Sequence, residues 1–128
     1  MFLVINAGSS SLKVALYGGK DSEPICSVSI EDIGSAEAHC IPDGQYGGDQ
    51  TTTIDAPTHE EAAIQAKRWL ESRLPQALLI TAVGYRIVHG GDRFTEPTVL
   101  TYEVLEYLEQ LTPLAPNHMP ATLQCIRV

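Results

Sequence analysis

At 128 residues and 13.9 kDa the chain is one domain or a piece of a larger protein, long enough to bury about two thirds of its unfolded surface. With 44% hydrophobic and 19% charged residues and no low-complexity tract, disorder of the whole is excluded. Eight Lys and Arg against 16 Asp and Glu leave a net charge of −8. That balance argues against nucleic acid and an anionic membrane as partners, although a few cations gathered at one point still bind a small anion.

Phe2–Ile5 is a short β-branched apolar run and reads as a strand buried on both faces. Residues 6–11 form a tight polar turn, and Leu12–Tyr17 alternates as a second strand. Gly18-Gly19-Lys20-Asp21 is a hairpin-type turn, and Ile25–Ile33 is a third strand, so the chain opens as a β-meander. Residues 34–53, rich in Gly, Asp, Gln and Thr, predict loops and short frayed strands. Thr58 and Glu61 match a capping box, and Ala62, Ala63, Ala66, Trp69 and Leu70 follow at helical spacing until Pro75. Leu78–Val83 predicts another buried strand, continued by 86–89 and broken at Gly90-Gly91. Thr101–Leu111 is an amphipathic helix, residues 113–120 are irregular, and 121–128 is helical up to the last residue, which suggests truncation. Strands first and then alternating helices and strands predict an α/β fold with a mixed sheet.

Cys26, Cys40 and Cys125 are odd in number and widely spaced, without zinc-ligand spacing, which reads as reduced thiols. The apolar start is too short for a signal peptide, and no run approaches the ~18 apolar residues of a membrane span. A soluble, cytoplasmic chain is the expectation.

Three segments carry chemistry. In Asn6–Lys13, Gly8 permits a tight turn whose N–H groups can form an anion nest, with Ser9, Ser10 and Ser11 adding hydroxyl donors. Lys13 supplies a compact cation and Asn6 a neutral oxygen that can order Mg²⁺ directly or through water. The plain alternative is a hairpin turn with a surface lysine. In Val83–Gly91, Arg86 offers a fork for a carboxylate or phosphate, and His89 a donor to a phosphoryl oxygen. The alternative pairs Arg86 with an internal acid and makes His89 a satisfied core residue. In Leu114–Pro120, a rigid loop, His118 reads alone as structural.

Together these segments resemble the N-terminal half of the acetate kinase family. Its N-x-G-S-S-S-L-K is met at Asn6–Lys13, its G-H-R-[VI]-V-H-G-G at Gly84–Gly91 and its L-A-P-L-H-N-P at Leu114–Pro120. The resemblance implies the actin-like, hexokinase-type fold of the sugar kinase superfamily, with residues 1–128 as the N-terminal half of a two-domain enzyme. It implies ATP and a small carboxylate as substrates, acyl phosphate and ADP as products, and Mg²⁺ or Mn²⁺. Asn6 would help hold the metal. Lys13, Gly8, Ser9 and Ser11 would bind nucleotide phosphates, Arg86 the carboxylate, and Val88 the acyl methyl group, with His89, Asn117 and His118 as further phosphoryl or pocket contacts. A homodimer is implied for the full-length enzyme. Tyr85 stands where the family has His, Asn117 where it has an apolar Leu, and Met119 where it has Asn. The family's catalytic Asp and adenosine pocket lie beyond residue 128, so the chain alone is expected to be inactive. The competing expectations are a propionate or butyrate kinase, and a non-catalytic actin-like binding or assembly module.

Overall fold

The computed structural model describes residues 1–19, 23–46, 48, 50–75 and 78–128. Lys20 and Asp21 of the expected turn lie outside the described residues. Strands β1 (Phe2–Ala7), β2 (Leu12–Tyr17), β3 (Cys26–Glu31), β4 (His39–Gly44) and β5 (Thr52–Thr53) are followed by helix α1 (His59–Arg73). Strand β6 (Ala82–Tyr85), helix α2 (Tyr102–Gln110), a 3₁₀ turn (Thr112–Leu114) and helix α3 (Met119–Ile126) complete the order. The six strands form one mixed sheet in the order β5-β4-β3-β2-β1-β6. The first five strands run antiparallel, and β6 joins β1 in parallel.

Alternation sorts the sheet into two faces. Leu3, Ile5 and Ala7 of β1 pair with Leu16, Val14 and Leu12 of β2, and these continue to Cys26, Val28 and Ile30 of β3. This face packs on Ala62, Ala66 and Leu70 of α1 and on Ala121 and Cys125 of α3. A second, smaller cluster is built from Val104, Leu108 and Leu111 around α2 and Met119 and Leu123 of α3. Ile87, Phe94 and Ala115 pack against it, so one base carries both the segment after β6 and the turn before α3.

Both helix caps behave as the sequence dictates. Thr58 accepts from the Glu61 N–H and Thr101 from the Val104 N–H. Leu74, before Pro75, is extended at ψ 135° and ends α1.

Four expectations need correction. The first strand is not buried on both faces: Phe2 and Val4, on the side away from α1 and α3, are half-buried, and Ile5, on the helix-facing side, is also only partly covered. The 34–53 stretch contains a full six-residue strand, β4, held by its ladder to β3 despite Pro42. A proline is tolerated there because β5 pairs only with His39 and Cys40, leaving the outer edge open at Pro42. The run expected from Leu78 through His89 is a strand only over Ala82–Tyr85, and Ala82, Val83 and Gly84 are exposed because β6 is the sheet edge. The last helix begins at Met119 rather than at 121, with Pro120 in its first turn, where a missing N–H costs nothing.

Candidate functional site

The β1–β2 turn and the end of β6 lie at one end of the sheet. Asn6 and Lys13 are register partners, and both are exposed on the face opposite α1 and α3. Ile5 pairs with Tyr85, and the Arg86 N–H donates to the Ile5 carbonyl at 2.9 Å, extending the pairing by one step. Alternation then puts Arg86 beside Asn6 and Tyr85 on the helix side. Arg86, Asn6, Lys13 and its partner Ser29 thus form a row across four adjacent strands. Strands are ~4.8 Å apart, so the backbones of Arg86 and Lys13 are separated by ~10 Å, which a phosphoryl group and its acceptor can bridge.

Among the described residues, neither Lys13 nor Arg86 has an ion-pair partner, whereas His39 pairs with Asp32 and Arg127 with Glu109. The internal acid considered for Arg86 is therefore not found among them. Two cations without ion-pair partners, side by side in a chain of net charge −8, concentrate positive charge at one point.

The turn itself is tightly braced. The Gly8 N–H donates to the Ser11 carbonyl at 2.8 Å, and the Ile33 N–H to the Ser10 carbonyl at 2.9 Å. A Cβ on Gly8 would lie 2.6 Å from Ser11 Oγ, so the turn closes this way only with glycine there or a displaced serine. Ser9 and Ser10 are exposed and Ser11 is half-buried.

His89 is half-buried, and its Nδ1 accepts from the Gly91 N–H at 2.9 Å. Since Nδ1 accepts, the neutral ring carries its proton on Nε2, and that N–H is the group left to donate. Gly91 takes a left-handed φ of 61°, and a Cβ there would strike the Tyr107 hydroxyl. Tyr107 in turn packs edge-on against Phe94 with centroids 5.4 Å apart, and the Arg93 guanidinium lies 4.8 Å from its ring centre. Val88 is 36% exposed. Asn117 and His118 are exposed on the turn before α3, and His118 makes no side-chain cap bond. These two share a packed base with the Arg86 segment through Ala115 and Ile87, and no direct bond joins them to it.

Tyr85 is half-buried on the helix face, where burial first and Cys125 second push its hydroxyl pKa up. This departure from the resembled pattern thus lies against the core, on the opposite side from Arg86. Cys125 is buried and its thiol is pushed up to about 11 by burial, so it stays protonated and unreactive. Cys26, Cys40 and Cys125 are all free, as the spacing predicts. An open cavity of about 960 Å³ lies between the β6 edge, residues 94–100 and α2, away from Asn6 and Lys13.

One residue escapes the sequence reading. His59, the first residue of α1, bonds through Nε2 to the Gly8 carbonyl at 2.9 Å. The available signal was periodicity. His59, Ala62, Ala66 and Leu70 share one stripe, and a polar residue on a buried stripe needs a partner.

The chain is similar to known proteins along most of its length. The family model described as the acetokinase family matches residues 1–128. An acetate kinase of a Sulfurovum species is 40% identical over 98% of this chain and 32% of its own length. One from Methylocella silvestris is 37% identical over 92% of this chain and 32% of its own length. The crystal structure of Porphyromonas gingivalis acetate kinase superposes with a TM-score of 0.87 at 30% identity, covering 98% of this chain and 33% of that one. A propionate kinase from Francisella tularensis gives 0.82 at 27% identity, covering 98% and 32%. The chain spans about a third of the length of the curated relatives it matches. It belongs to the acetokinase family.

Proposed function

We propose that residues 1–128 form the N-terminal domain of a cytoplasmic enzyme that transfers the terminal phosphoryl group of ATP to a small carboxylate, acetate first, giving acyl phosphate and ADP. The observation that carries this is the pair of unpartnered cations, Arg86 and Lys13, flanking Asn6 at one end of the sheet. Arg86 matches a carboxylate in two bonds, and Val88, two residues on and partly exposed, meets the acyl methyl group. Lys13 and the turn from Gly8 to Ser11 take the nucleotide phosphates, and His89 Nε2–H donates to a phosphoryl oxygen. Phosphoryl transfer asks mainly for such positioning and charge stabilisation. One side of a cleft neither excludes water nor holds both reactants, so the chain alone is inactive. The full-length enzyme is a homodimer on this reading.

The donor set suits a metal that arrives with the nucleotide. Among the described residues no group of three His, Cys, Asp or Glu can hold a metal, and Lys13 and Arg86 repel a bare divalent cation. Mg²⁺ keeps most of its waters and uses one or two protein oxygens plus substrate phosphates, which Asn6 can satisfy. When bound, it neutralises charge on the phosphates. Mg²⁺ alone should therefore give no saturable heat on titration into the chain up to millimolar concentration. Tight binding without nucleotide would refute this assignment.

The experiment for the function is exchange. The chain replaces the matching segment of the Sulfurovum acetate kinase, and acyl phosphate is trapped with hydroxylamine. Activity in the chimaera and none in the chain alone is the expected result; a folded but inactive chimaera sinks the reading. A second reading, propionate as the preferred acid, draws on the exposed polar Asn117 and on the likeness to a propionate kinase. Competition between the two acids in the same chimaera separates them.

A further inference from the structure

The β1–β2 turn needs support from below if its N–H groups are to face a phosphate. In a trans peptide the C=O of one residue and the N–H of the next point in opposite directions. The Gly8 carbonyl is held by His59 Nε2 at 2.9 Å, so the Ser9 N–H is directed away from α1. The Ser10 carbonyl is held by the Ile33 N–H at 2.9 Å, so the Ser11 N–H is directed away from Ile33. Among the described residues no protein acceptor takes either N–H. Two carbonyls tied inward thus leave two donors free.

His59 is itself firmly placed. It is 8% exposed and lies on the buried stripe of α1. Its neighbour Thr58 caps the helix, and its own carbonyl accepts from Cys125 Sγ at 3.7 Å, which ties it to α3. A carbonyl only accepts, so the imidazole presents a proton on Nε2 toward Gly8.

We infer that His59 is a positioning residue for phosphate binding: its Nε2–H fixes the 8–9 peptide so that the Ser9 N–H faces the ligand. It acts through the turn and touches no substrate. The inference rests on the turn being the phosphate site proposed above. Without the imidazole donor, the 8–9 peptide is free to rotate, and rotation withdraws the Ser9 N–H. A glutamine places an amide N–H where the imidazole Nε2–H was, so it is the conservative replacement.

The test uses the 128-residue chain with inorganic tripolyphosphate as probe, read by ¹⁵N amide shifts of Ser9 and Ser11 and by calorimetry. The wild-type chain should bind saturably. His59→Ala should weaken binding tenfold or more and abolish the Ser9 response, and His59→Gln should return affinity to within threefold of wild type. Leu108→Ala, which loosens the second cluster instead, should leave affinity within threefold. If His59→Ala binds as wild type does, the positioning role is overturned while the phosphate turn stands. His59→Gln that binds as poorly as His59→Ala, with wild-type thermal stability, overturns the donor assignment. A wild-type chain that binds no tripolyphosphate overturns the phosphate-turn reading, and this inference with it.

Discussion

Arg86→Ala, made in the Sulfurovum chimaera, is expected to lower kcat/KM for acetate by about 10²–10³-fold, equivalent to about 3–4 kcal/mol of transition-state stabilisation. The size follows from what is lost. Arg86 stands at the edge of the row with no carboxylate of its own among the described residues, so its fork is free to take a substrate carboxylate in two charge-assisted bonds. Its backbone is fixed by the bond to the Ile5 carbonyl, which survives the substitution, so the change removes the side chain without moving the strand. Arg86→Lys keeps the charge but loses the planar fork and should fall between the two. KM for ATP should change by less than about threefold, because the nucleotide phosphates meet Lys13 and the turn. Steady-state kinetics with each substrate varied in turn decides the matter. An unchanged kcat/KM for acetate, or a loss confined to ATP, would remove Arg86 from the carboxylate site.

The alternation that separates Arg86 from Tyr85 could be read directly from the sequence, as could the meander that brings Asn6 opposite Lys13. These features depend on local period and turn chemistry, and both helix caps belong with them. What escaped depends on distant partners. Strand β4 has Pro42, Asp43 and Gly44 in its second half, a poor strand by propensity, and exists because β3 offers a complete ladder. The run from Leu78 reads as buried because it is apolar. In the structure Leu79 and Ile80 are exposed and the strand is four residues long, since β6 has a neighbour on one side only. His59 reaches a carbonyl 51 residues away, so helical periodicity marks it as buried but does not name its partner. Its lesson for the site is that a polar residue on a buried helix stripe marks where the helix meets something polar, here the turn expected to bind phosphate.

The glycine pair after the arginine segment gives the second large effect, on stability. A Cβ on Gly90 would collide with the backbone carbonyl of Phe94, and the Phe94 N–H donates back to the Gly90 carbonyl at 3.1 Å. Neither partner is a flexible side-chain end, so Gly90→Ala must break this turn rather than bend it. We expect a cost of about 2–4 kcal/mol, near the upper end for single substitutions, and a fall in melting temperature on the order of 10 °C. Gly84→Ala is the internal control. Its Cβ would meet only the Leu3 carbonyl, at 3.8 Å, an ordinary contact, so its effect should stay within about 1 kcal/mol. Thermal and urea unfolding of the two variants, read by circular dichroism, makes the comparison. Because the same turn carries Gly91, whose N–H fixes the His89 ring, Gly90→Ala should also alter the His89 ring ¹⁵N shifts while Gly84→Ala leaves them unchanged. Equal stability of the two variants would mean that the 90–94 turn is not what holds His89 in place, and the assignment of its Nε2–H as a phosphoryl donor would lose its structural basis.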